Sequence, residues 1–350
     1  MRQDFIQQER YKLILFVMPK ASPQMDNTKL STTADLKTVF YRESKRYTSK
    51  GTGLIPALLI VATYFYFAPI LCKRYWPVVL SYTIERGWSA CQLTVVVTLL
   101  WHYLWHFVAT MYYYAIYHLE HPFFERDKIS KEPWPWQENR EEWMKTLKKS
   151  FIWVGVNSFI VLPISIVVAS AVNNFEIPYA IDAESIPDRG GFVVGIILEV
   201  MGEDLILHFV HKWMHHPLVY PYVHKMHHEY IQSVGFAAHY SHPIEYVLIS
   251  VIPSGLVSLL LGRHLHITTM LMHNLAREFE TQDGHCGYEF SWSPFRLMPF
   301  SAGGAYHEFH HAFVNCNYSS FLTFWDTLLG HNDEFNRRYL GGKEIEKKEE

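Results

Sequence analysis

The chain is short of cysteine and short of charge. Only four cysteines occur in 350 residues (Cys72, Cys91, Cys286 and Cys316), and none forms a CxxC pair. That excludes a disulfide framework and a cysteine-built zinc site. Charged residues are 19% of the chain, below the roughly 25% of soluble domains. The formal net charge is −3, too small and of the wrong sign for a nucleic-acid partner. No cleavable leader is expected, because the apolar stretch Tyr11–Met18 is short and is followed by Pro19.

Apolar residues fill the space: 49% of the chain is hydrophobic and 16% aromatic. Leu54–Cys72, Cys91–Met111 and Phe151–Val172 are uncharged runs near the ~20 residues that a bilayer crossing takes. A fourth begins at Gly191, and two shorter runs follow, Ile244–Leu261 and about Leu265–Phe279, read as a hairpin. Core helices of a large soluble protein would not repeat uncharged runs of this length. The expected fold is an all-α integral membrane protein, a bundle of about four to six crossing or membrane-embedded helices with a cytosolic helical cap. Residues 1–53 are expected to form an N-terminal cytosolic segment, 54–190 the N-terminal transmembrane helices and loops, 191–335 the catalytic domain and 336–350 a charged tail.

Lysine and arginine give an orientation. Six lie between Lys29 and Lys50 and seven between Tyr112 and Ser150, whereas the stretch 173–190 has only Arg189. Positive loops face the cytoplasm, so both termini are expected there. Lys347 and Lys348 resemble the dilysine retrieval signal of endoplasmic-reticulum membrane proteins. Asn317-Tyr318-Ser319 is a glycosylation sequon that this orientation places on the wrong side for use.

Histidine is the outlier. Of 21 histidines, 16 lie between His208 and His311. Residues three and four apart share a helix face. His211 and His215 are spaced i, i+4, whereas His224, His227 and His228 are i, i+3, i+4, a pattern that His307, His310 and His311 repeat. His102 with His106, and His118 with His121, have similar spacings but stand alone and read as interfacial or packing residues. The three clusters brought to one face would repel if protonated and leave polar atoms unmet if neutral. Two metal ions resolve both problems, and imidazole suits iron, zinc and copper alike. HEFHH also offers a zinc pair, His307 and His311, with Glu308 beside it, as in zinc proteases. That reading leaves HKWMHH and HKMHH unexplained. A metal carrier would need polar residues through the middle of several helices, which the first and third runs lack.

HKWMH, HKMHH and HEFHH, in this order, resemble the three histidine boxes of the fatty acid hydroxylase superfamily, membrane di-iron oxygenases and desaturases of the endoplasmic reticulum. The resemblance covers roughly Glu203 to Gly330, with the flanking words HHEY, AHYSHPIE, FETQDGHCGY and NYSSFLTFWDTLLG. AREFET and HCGY look most like the sterol C4-methyl oxidases. His239, where those enzymes usually carry glutamate, looks instead like the sterol C5-desaturases.

The resemblance implies metal ligands at His211, His215, His224, His227, His228, His242, His285, His307, His310 and His311. It implies two non-haem iron ions, O₂ as co-substrate and electrons from NAD(P)H through cytochrome b5 and its reductase. It implies a sterol substrate arriving from the bilayer, with 4-methyl oxidation as the leading outcome and C5-desaturation or removal of another alkyl group as the alternatives. His239 and His216 are expected near the metals and His208 as packing, while His264, His266 and His273 gain no role. Glu199, Glu203 and Asp204 lie in an apolar run, where one of them is expected to fix a ligand tautomer. Tyr306 and Trp292 are weighed as substrate-lining residues but read as packing.

Overall fold

A computed structural model describes residues 53–298 and 300–340. The expectations placed on residues 1–52 and on the dilysine pair Lys347 and Lys348 lie outside the described residues. Among the described residues there are helices, turns and isolated bridges, and no strand.

Four helices are long and apolar enough to cross a membrane: α1 (Leu54–Ile84), α2 (Ala90–Leu119), α3 (Arg140–Val172) and α5 (Pro243–His264). The α1–α2 turn uses Gly87 at φ +71°. Ser89 then starts α2 with a reciprocal cap: its Oγ accepts from Gln92 N, and its own N–H donates to Gln92 Oε1. Both α3 and α5 contain one turn of π-helix, Asn157–Val161 and Val247–Val251. Each ends just before a proline, Pro163 or Pro253, whose missing N–H breaks the regular ladder.

Helix α4 (Arg189–Met214) is the fourth apolar run. It is long enough to cross but buries Glu199, Glu203 and Asp204 and is not one of the four. The last run departs further from expectation. Leu265–Phe279 is no apolar half of a hairpin; it belongs to α6 (Ile267–His285), a helix buried among the others. Helix α6 packs on α1, α2 and α4. Its apolar end joins Cys72, Trp76 and Leu93 in one core through Ile267, Met270 and Leu271. Its polar half is paired: Arg277 Nε donates to Glu203 Oε1 at 3.1 Å, and Tyr113 OH donates to Asp283 Oδ1 at 3.3 Å. A hydropathy window reads those side chains as surface, because it cannot see their partners.

Candidate metal centre

Three short segments and the end of α6 supply the site. Helix α4 ends with His211 and, at its C-cap, His215. The turns that follow carry His224, His227 and His228. Helix α7 (Gly304–Phe313) carries His307, His310 and His311. It sits so close to the preceding segment that a Cβ at Gly304 would lie 2.4 Å from the Tyr288 carbonyl oxygen.

The rings sort into two groups. His211, His215, His224, His228 and His310 form one, and His227, His285, His307 and His311 the other; within each, the ligating nitrogens lie within 4.8 Å of one another. In the second and third boxes the i, i+4 pair enters one group and the remaining histidine enters the other. The groups adjoin, with the His228 and His311 ring centroids 4.6 Å apart.

Hydrogen bonds fix the tautomers. Nδ1–H of His211 donates to Tyr318 O at 2.6 Å, that of His310 to Cys316 O at 2.6 Å, and that of His285 to Thr281 O at 2.7 Å. His227 donates to Tyr240 O at 3.3 Å, and His224 to Glu245 Oε1 at 2.8 Å. A carbonyl oxygen only accepts, so the four rings on carbonyls carry their proton on Nδ1 and present a bare Nε2, and His224 does the same with the Glu245 carboxylate as acceptor. Yet Nε2 of His211 lies 3.0 Å from Nε2 of His224, and Nε2 of His227 lies 3.2 Å from that of His285. Nε2 of His310 is buried without any partner. Lone pairs converging at hydrogen-bond distance with no proton between them are repulsive, and a cation at their focus removes the repulsion. The residues present therefore fit two metal ions. Burial and the neighbouring rings also hold His224, His228, His307 and His311 well below the usual imidazole range; burial first takes His227 and His310 to about 4. These rings stay neutral and ready to ligate at neutral pH.

Nine of the ten sequence-predicted ligands are thus brought together. His242 is not. It is the N-cap of α5, where its Nδ1 accepts from Ile244 N at 3.2 Å. His216 is exposed and caps the next turn through Leu218 N. His208 is fully buried, with Nδ1 3.0 Å from Ser319 Oγ. None of Glu199, Glu203 or Asp204 reaches a ligand: Glu203 pairs with Arg277, and Asp204 Oδ1 accepts from Leu322 N. The carboxylate that does so is Glu245, which no spacing rule singles out. Asp326 was also missed. It accepts from Tyr306 OH, Tyr318 N and Ser319 N, and so holds the Tyr318 carbonyl that orients His211. Tyr306 and Trp292 are packing residues: the first is buried on Asp326, the second stacks on Phe290 and Phe123. Asn317 is fully buried, and its Nδ2 donates to Tyr306 O at 3.0 Å, which hides the sequon in the folded chain. The protease reading fails on geometry, because His307 and His311 share their group with His227 and His285, while Glu308 lies near Lys128 and Glu289.

The family model for fatty acid hydroxylases matches residues 196–331. Methylsterol monooxygenase 1 of Gallus gallus is 30% identical over 229 residues, 65% of this chain and 72% of the relative. Methylsterol monooxygenase 1 of Rattus norvegicus is 32% identical over 233 residues, 65% and 74% of the two chains. The C-4 methylsterol oxidase erg25 of Schizosaccharomyces pombe is 33% identical over 149 residues, 40% and 49%. No solved structure matches. The chain belongs to the fatty acid hydroxylase superfamily, alongside the methylsterol monooxygenases.

Proposed function

We propose that this protein is a di-iron 4-methylsterol monooxygenase. One observation carries the reading: two adjoining sets of buried imidazoles, five and four, whose bare Nε2 atoms converge. His211, His215, His224, His228 and His310 would hold one iron, and His227, His285, His307 and His311 the other. The iron pair supplies activation of O₂ for attack on an unactivated C–H bond, chemistry beyond any acid–base side chain. The chain's own contribution is positional. Tyr318, Tyr240, Thr281, Cys316 and Glu245 keep a proton on each partner's Nδ1, and the packed box helices exclude water. Net turnover converts a methyl group, O₂, two electrons and two protons into an alcohol and water.

The substrate is a membrane lipid, in this reading a sterol carrying 4-methyl groups. Cytochrome b5 and an NAD(P)H-dependent reductase deliver the electrons, and the protein resides in the endoplasmic reticulum membrane with its metal centre on the cytosolic side.

Sterol profiling tests this. Cells lacking the protein should accumulate 4-methyl sterols, and the wild-type gene should reverse the accumulation. His227→Ala should leave it unreversed although the variant reaches the membrane. Sterols that instead lack a ring double bond or keep another alkyl group would replace 4-methyl oxidation with one of its alternatives.

A further inference from the structure

A second polar cluster lies deeper in the bundle and shares no residue with the nine histidines. Glu278 sits seven residues before His285 on α6, about 10 Å along the axis. Its Oε1 lies 3.0 Å from His106 Nδ1 of α2 and 3.0 Å from His239 Nε2, at the end of the 3₁₀ turn Gly235–His239. The three ligating atoms are within 4.8 Å of one another. His102, one turn before His106, stacks on it with ring centroids 5.7 Å apart and brings Nδ1 to 3.9 Å from Glu278 Oε2. Gln282 Nε2 donates to Glu278 Oε1 at 2.9 Å, the kind of outer partner that orients a ligating carboxylate.

A carboxylate ringed by imidazoles inside a membrane bundle is costly to keep and marks a site. Two imidazoles and one carboxylate are the donor set taken by divalent iron and by zinc. A similar trio, His208, Asp326 and His331, lacks this form. There the ring nitrogens stand 3.5 and 3.6 Å from Asp326, whose oxygens already accept two backbone N–H groups and the Tyr306 hydroxyl.

We propose that His106, His239 and Glu278 bind a third divalent transition-metal ion, with His102 as the nearest further donor. The ion clamps α2, the 235–239 turn and α6. Its role is to hold the second histidine group in place: His239 precedes Tyr240, whose carbonyl orients His227, and Glu278 shares its helix with His285.

Metal counting tests the proposal on the full-length protein purified in detergent. Wild type should carry three ions per chain by plasma mass spectrometry, and Glu278→Gln two, with unchanged elution on size exclusion. Metal-stripped Glu278→Gln should then take up one equivalent of Co(II) fewer than stripped wild type. If Glu278→Gln does not fold, His106→Gln, at a partly exposed ring, gives the same comparison. Equal metal content in wild type and variant would overturn the third site and leave a hydrogen-bonded knot. Failure of the di-iron reading has a different signature: the two ions common to both proteins would be absent or would not be iron, while the difference of one ion between them would remain.

Discussion

Glu245 shows what a single side chain contributes at the residue scale. It is buried, and its Oε1 accepts a hydrogen bond from His224 Nδ1–H at 2.8 Å, which leaves Nε2 free to ligate. Glu245→Ala would strand a buried N–H, at about 1–3 kcal/mol. Loss of such outer partners weakens metal binding about 10–100-fold. Glu245→Gln keeps an accepting oxygen and should retain most of the affinity. Chelator competition on the purified protein measures both, and an alanine variant holding metal as tightly as wild type would remove Glu245 from this role. The ligands themselves were legible because helix geometry converts i, i+3 and i, i+4 spacing into direction. Glu245 was not, since nothing local links position 245 to position 224. His242 misled for a local reason: a residue before proline is pushed to extended backbone. At ψ 143° it becomes the N-cap of α5, with its ring turned back on Ile244.

At the scale of elements, the apolar runs gave α1, α2, α3 and α5, but the helices nearest the site are held by features that hydropathy does not register. Helix α4 approaches its neighbours through glycines, as membrane helices commonly do. A Cβ at Gly195 would lie 2.8 Å from Thr269 Cγ2 on α6, and one at Gly202 would lie 2.8 Å from Val257 Cγ2 on α5. His211 follows Gly202 by two and a half turns, so a displaced α4 carries the first box with it. Gly202→Leu should cost about 1–3 kcal/mol of overpacking. It should lower both the unfolding temperature and the metal content of the detergent-purified protein. Gly255→Leu is the control, because a Cβ there meets nothing within 4 Å. Wild-type values for Gly202→Leu would show that α4 does not depend on this contact. Helix α6 was hidden for the opposite reason: its polar half reads as surface, yet Glu278, Glu280, Gln282, Asp283 and His285 are all buried.

For the whole molecule, α6 works as a ruler. It has 19 residues, about 28 Å at 1.5 Å per residue, close to the ~30 Å hydrocarbon core. At its far end His266 is bridged to Ala180, and Trp76 Nε1 donates to Ile181 O. At its near end, just past His285, Tyr288 is bridged to Lys128, and Ile129 N donates to Gly287 O. The 120–139 connection therefore shares the metal centre's end of the bundle, and the 173–188 connection lies at the other end. Charge separates the same two ends: seven lysines and arginines lie between Tyr112 and Ser150, against Arg189 alone in 173–190. The positive-inside rule predicts that this end faces the cytoplasm, and the metal centre with it. Lys131 and Glu176 are both exposed and make suitable reporters, in a background where Cys91, the one cysteine that is not buried, is replaced by serine. In sealed microsomes an impermeant maleimide should label Lys131→Cys directly, and Glu176→Cys only after detergent opens the vesicles. The reverse pattern would put the centre in the lumen, out of reach of a cytosolic electron donor. Equal labelling of both before detergent would mean that the 120–139 and 173–188 connections do not lie on opposite sides of the membrane.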